Sequence, residues 1–207
     1  MGGKPKVVGA PTGTESARDE LIEPSRMLKL SENPPTLHPA GGSLRDLGGR
    51  WWVMHCKPRN EKALAWDLVD RNVPYFLPMT LRTTFSGGRK RRGMIPLFPS
   101  YIFLNGRDEQ RHAALTTNRI VRAIEAPDQQ LLITELDALE RALREGAEFD
   151  LYPFAVVGQR CRVRKGPFEG VEGTVVSRDS VARLVLQVSL LGCGAVMEVD
   201  VGLLEAV

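Results

Sequence analysis

The chain has 207 residues, of which 43% are hydrophobic and 26% charged, with a formal net charge of +3. That is the make-up of an ordinary globular protein of one or two domains with a sizeable core. No apolar run approaches the roughly 18 to 20 residues that span a bilayer, and the first residues lack a signal peptide's apolar stretch, so a cytoplasmic protein with no membrane association is expected.

The mild net charge hides an uneven distribution. Residues 50–107 hold eleven Lys and Arg against three Asp and Glu, residues 108–150 hold five against ten, and each flank holds six against six. One segment therefore carries a field suited to polyanions. Cys56, Cys161 and Cys193 lie far apart with no C-x-x-C spacing, which predicts small buried residues, no disulfide and no metal site. No cofactor is expected. His38, His55 and His112 are scattered, no Ser or Cys sits in a nucleophile context, and no phosphate-cradling glycine loop follows a strand, so enzymatic function is not expected and no catalytic residue is assigned.

Along the chain, residues 1–49 are rich in Pro, Gly, Ser and Thr without a sustained apolar period, the mark of a disordered extension with room for one short helix over 18–30. Trp51-Trp52-Val53-Met54-His55-Cys56 reads as a strand ended by Lys57-Pro58, and a domain begins there. From Arg59 to Asp70, residues Leu64, Ala65, Leu68 and Val69 form a helical stripe, while Arg59, Lys62 and Trp66 share another face. Val73 to Pro78 is a second apolar strand. Leu81 to Arg92 reads as a hairpin turning at Gly87-Gly88, with the basic run Arg89-Lys90-Arg91-Arg92 on its far arm.

Directly after that run stands Pro96-Leu97-Phe98-Pro99-Ser100-Tyr101-Ile102-Phe103-Leu104, whose last four residues form a strand, as do Ile120 to Ile124. Alternation places Tyr101 and Phe103 on one face of that strand and Ile102 and Leu104 on the other, so only one set is expected to be core. Thr134 to Gly146 is the clearest helix, with Thr134 as N-cap, Leu136, Leu139 and Leu143 on one face and Gly146 at the C-cap. Asp137 with Arg141 and Glu140 with Arg144 are spaced for mutual support. These elements make an α+β domain over 50–146, an antiparallel sheet flanked by helices, and 147–154 is a linker. From residue 155 to 207 short strands alternate with glycines: Arg160 to Arg164, Gly173 to Ser177, Leu184 to Leu190 and Ala195 to Val199. A small closed all-β barrel is the expected form.

Val157 to Val176 resembles the KOW motif, a strand, a Gly-Pro-Phe-x-Gly loop and a second strand. Gly166 and Gly170 would allow positive φ and Pro167 would stiffen the loop. The ring of Phe168 would stand at its tip or plug the barrel. With a KOW unit behind it, the first domain is similar to the NGN domain of the NusG family of transcription elongation and antitermination factors. The matching residues are Trp51-Trp52-Val53, Pro78 and Leu97-Phe98-Pro99-Ser100-Tyr101-Ile102-Phe103. Within the family the NGN domain is most similar to the specialised paralogue RfaH, through Trp51/Trp52 to Lys57 and Pro96 to Phe103.

This resemblance implies a regulator that rides on RNA polymerase as a monomer, holding its clamp helices through an apolar patch. By position the patch would be His55, Phe76, Phe98, Tyr101 and Phe103, although the same residues would also serve as sheet core. The KOW unit, through Gly166, Pro167, Phe168 and Gly170, would recruit a small-subunit ribosomal protein or the termination factor Rho. Lys57, Arg59, Lys62, Arg89, Lys90, Arg91 and Arg92 would lie near upstream or non-template DNA and hold it weakly, or form a solvated charged face. The chain departs from RfaH in three places. Ala63, Asp67 and Asp70 stand at the helix positions that read DNA, and His112-Ala113-Ala114 replaces His-Thr-Thr. Glycines and valines in the C-terminal part favour a permanent barrel over a helical hairpin. A ribosome-associated or RNA-binding KOW protein acting in translation is the alternative function.

Overall fold

The computed structural model describes residues 30–86, 89–152, 158–178 and 181–207. In chain order the elements are β1 (Leu37–His38), β2 (Arg50–Cys56), α1 (Glu61–Asp70), β3 (Tyr75–Phe76), β4 (Met79–Ser86), β5 (Arg89–Pro96), β6 (Tyr101–Gly106), α2 (Asp108–Leu115), β7 (Ile120–Glu125), α3 (Gln129–Arg144) and β8 (Asp150–Tyr152). Then follow β9 (Gln159–Val163), β10 (Glu172–Arg178), β11 (Val181–Val188), β12 (Cys193–Asp200) and β13 (Leu204–Ala206), with short 3-10 turns at Leu30–Glu32, Leu44–Asp46, Ser189–Leu191 and Val201–Leu203. Among the described residues no helix is long and apolar enough to cross a membrane.

The first sheet runs β1-β3-β6-β2-β7 and is antiparallel throughout. Its period-two alternation separates the apolar side chains into two cores. Trp51, Val53, Phe76 and Phe103 face Leu132, Leu136 and Leu139 of α3. Trp52, Met54, Tyr75, Ile102 and Leu104 face Leu64, Ala65 and Leu68 of α1 and Ala114 of α2. Both faces of β6 are therefore core, which corrects the expectation that only one would be. Strands this apolar on both sides cannot leave either face to water.

Residues 30–49 do not behave as the disordered extension expected of them. β1 adds a strand to the sheet edge, Leu37 opposite Phe76 and His38 opposite Tyr75. The Tyr75 hydroxyl donates to the Pro35 carbonyl at 2.9 Å, and Leu44, 1% exposed, enters the core beneath α3. The turn that carries Leu44 has its own capping box between Ser43 and Asp46. Arg45 then pairs with Asp137 of α3 at 3.0 Å. A two-residue strand and one buried leucine have no period to detect, which is why composition alone misreads them. The helix expected over 18–30 lies outside the described residues, apart from Leu30.

Other boundaries shift for local reasons. α3 begins five residues before the expected N-cap Thr134, because the Asp128 side chain accepts from the Leu131 N–H and caps it. Thr134 lies inside, its hydroxyl donating to Gln130 O. Of the two expected helix pairs, Glu140 with Arg144 forms, whereas Asp137 turns to Arg45 and Arg141 donates to the Glu169 carbonyl at 3.0 Å. α2 was not anticipated. The arms of the hairpin pair from Met79 opposite Pro96 to Ser86 opposite Arg89, and the turn at Gly87-Gly88 lies outside the described residues.

The expected linker is partly a strand. β8 pairs with β12, Tyr152 opposite Gly194 and Asp150 opposite Val196, and Phe149 before it is buried. The second sheet runs β13-β9-β10-β11-β12-β8, a β-rich unit whose ladder has β13 and β8 at its ends. No pairing of β8 with β13 closes it among the described residues. Glycine is needed where strands approach closely: a Cβ at Gly194 would come within 2.7 Å of the Leu186 carbonyl oxygen. This unit rests on α3, where Glu135 accepts from the Ser189 hydroxyl at 2.5 Å and the Ser189 N–H at 3.0 Å.

Truncating Leu44 to alanine should cost about 2–4 kcal/mol in urea denaturation, the ordinary price of a core cavity. A loss below about 0.5 kcal/mol, the size of a surface substitution, would show that 30–49 adds nothing to the core.

Candidate functional site

The feature that organises this surface is the turn Phe98-Pro99-Ser100-Tyr101. The Tyr101 N–H donates to the Phe98 carbonyl at 3.1 Å, proline stands second, and Ser100 in third place has φ +67°. That is the pattern of a type II turn, whose third position suits glycine or asparagine. Ser100 is held there from two sides. Its N–H donates to Glu61 Oε1 at 2.6 Å, and its carbonyl accepts the Cys56 N–H at 2.7 Å.

Tyr101 opens β6 directly after this turn and lies opposite His55 of β2. The two rings stack with centroids 5.1 Å apart and planes 24° from parallel. On its other side His55 faces Arg122 of β7, where a register shift between His55 and Cys56 breaks the ladder. Arg122 is exposed and Val121 beside it is 61% exposed. Arg122 has no ion-pair partner among the described residues. One strand step deeper on the same face, Val53 and Phe103 are fully buried, so His55 and Tyr101 are where this face meets solvent.

The five residues of the expected polymerase patch thus divide. Phe76, Phe98 and Phe103 are at most 1% exposed and form a ring cluster, Phe98 edge-on to Phe103 at 6.1 Å and Phe76 tilted at 6.2 Å. They are core, and only His55 and Tyr101 are half-buried. Of the basic set, Lys57 and Arg59 are exposed at the β2–α1 corner and Arg92 is exposed on β5. The side chains of Arg89, Lys90 and Arg91 lie outside the described residues. Lys62 is engaged within the fold, donating to Asn33 Oδ1 at 2.7 Å and to the Met94 carbonyl at 2.5 Å. Burial pulls its ammonium below the ordinary lysine range, with the Glu61 charge opposing. Asp67 is bonded by Arg119 at 2.6 Å, so its charge is locally answered.

In the second unit Gly166 and Gly170 adopt positive φ, +94° and +79°, as the loop motif predicts. Pro167 is exposed, but Phe168 is half-buried and packs against the core. Its ring plugs rather than crowns the loop. The functional neighbours that sequence reading missed are Glu61 and Arg122. Each looks like an ordinary surface charge until β-sheet register and a contact 39 residues apart place it.

Cys56 beside this turn is buried, and desolvation together with the Glu61 charge pushes its thiol up to about 12. It remains a neutral thiol at physiological pH. Among the described residues no group of three or more His, Cys, Asp or Glu is placed to hold a metal ion. Because a side chain at positive φ is strained, Ser100→Gly should raise stability by about 0.5–1 kcal/mol and Ser100→Val lower it. Thermal denaturation of both variants checks this, and a lower midpoint for the glycine variant would contradict it.

Comparison with known proteins bears on the same segment. Residues 49–140 match the family described as transcription termination factor nusG. No curated protein matches the chain. The solved structure described as "Domain interaction in Thermotoga maritima NusG" is similar at 17% identity and a TM-score of 0.45, over 76% of this chain and 97% of that one. The family match runs from just before β2 into α3 and covers less than half of the chain.

Proposed function

We propose that this protein is a transcription elongation and antitermination factor that docks on the clamp helices of RNA polymerase through its NGN domain, residues 50–146. There it suppresses pausing or modulates termination. The observation that carries the reading is the stacked His55–Tyr101 pair, left in reach of solvent on a NusG-family sheet whose other aromatic residues are covered. Two fixed rings offer contact area at small entropic cost. In this reading His55 and Tyr101 touch the partner, while Phe76, Phe98 and Phe103 support them from beneath. Arg122, without an ion-pair partner among the described residues, would meet a carboxylate on the partner's rim.

The exposed cations Lys57, Arg59 and Arg92 would hold upstream or non-template DNA weakly through its phosphates. The unit over 155–207 acts as a permanently β KOW domain that recruits a second factor, a small-subunit ribosomal protein or Rho, through the loop of Gly166, Pro167 and Gly170. Phe168 holds that loop from inside. The NGN segment is RfaH-like, and the chain works as a cytoplasmic monomer.

Affinity capture from a lysate tests the docking. The tagged wild-type chain should retain RNA polymerase, and Tyr101→Ala or His55→Ala should weaken retention by about tenfold, a hot-spot effect. Phe98→Ala is a poor probe here, because it opens a cavity in the core. Retention of ribosomes alone would reverse the reading in favour of a KOW protein of translation.

A further inference from the structure

Glu61 opens α1 and is 6% exposed. A carboxylate this deeply placed needs strong partners, and its hydrogen-bond partner among the described residues is the Ser100 N–H, at 2.6 Å. The place suits it, since a negative charge in the first turn of a helix is stabilised by the helix dipole. On the other side of the same residue the Cys56 N–H holds the Ser100 carbonyl. Both peptide planes that flank Ser100 are therefore fixed, and the second of them sets where Tyr101 begins.

We infer that Glu61 is a positioning residue: by holding Ser100 at positive φ it seats the Tyr101 ring on His55 and keeps the docking pair assembled. Without the carboxylate the Ser100 N–H loses its partner in a half-buried site, and serine at φ +67° has no reason to stay there. Its return to negative φ rotates the peptide leading into β6, and the phenol swings off the imidazole. The inference deepens the docking proposal and rests on it for the binding readout alone, because the stack itself is a property of the free chain.

The test uses the full-length protein. In wild type, the Ser100 amide should exchange with solvent far more slowly than an unbonded turn amide, and the His55 ring protons should show the upfield NMR shift of a proton above an aromatic face. Glu61→Ala should abolish the slow exchange, return the His55 shift towards that of a Tyr101→Ala control, and weaken polymerase binding by about tenfold. Glu61→Gln, whose amide oxygen still accepts, should keep most of the shift and most of the affinity. Adding Ser100→Gly to Glu61→Ala should restore part of the shift, because glycine holds positive φ unaided. A general loss of packing would not be rescued this way.

A rapidly exchanging Ser100 amide in wild type overturns the inference, and needs no variant to fold. So does an alanine variant with an unchanged His55 shift. If the shifts behave as expected but no form of the protein binds polymerase, the docking reading fails while the positioning role of Glu61 stands.

Discussion

A sheet whose strands are apolar on both faces has no stable existence until both are covered. β2 sets this condition with four buried residues in succession, Trp51 to Met54, and a fifth, Cys56, after the half-buried His55, and β6 repeats it with Ile102, Phe103 and Leu104. Antiparallel sheets often leave one side to water. Here α1 and α2 must close one side and α3 the other, and the arm of residues 30–49 completes the α3 side with Leu44. What remains uncovered is the end of one face, and it falls at the aromatic pair. The exposed end that the proposed docking would use is a remainder of the packing problem as much as an addition to it.

Much of this order was legible from residue types. The runs of β-branched and aromatic residues in Trp51 to Cys56 and Tyr101 to Leu104 revealed strands, the leucine spacing of α3 a helix, and the glycine loop around Pro167 its positive φ angles, because each is a local rule acting over a few residues. What escaped was decided at a distance. The core role of Phe76, Phe98 and Phe103 depends on α3 lying over them, the strand character of Leu37–His38 on β3 being beside it, and the inward turn of Phe168 on the core behind it. The start of α3 was misplaced for a different reason, since two candidate caps, Asp128 and Thr134, stood six residues apart and propensity alone does not choose between them.

The uneven charge along the chain also resolves into distinct roles. The acidic segment spends its carboxylates on neighbours: Asp137 meets Arg45, Glu125 meets Arg50 at 2.5 Å, Glu140 meets Arg144, and Glu135 meets Ser189. Two cations of the basic segment are absorbed in this way, Arg50 by Glu125 and Arg82 by Asp150 at 2.7 Å, and Lys62 is taken by the N-terminal arm. The polyanion field that survives folding is smaller than the linear count suggests. It is concentrated at the β2–α1 corner and on the hairpin, where Lys57, Arg59 and Arg92 are exposed.

The arm of residues 30–49 leaves the ribosome before the elements it binds. β1 waits for β3, and Leu44 waits for the leucines of α3, roughly a hundred residues of further synthesis, or about 5–20 s at ordinary elongation rates. During that interval Leu44 has no native surface to join. This early segment is therefore among the last to fold, and the prolines and polar residues that disguise it as a tail also keep it soluble while it waits.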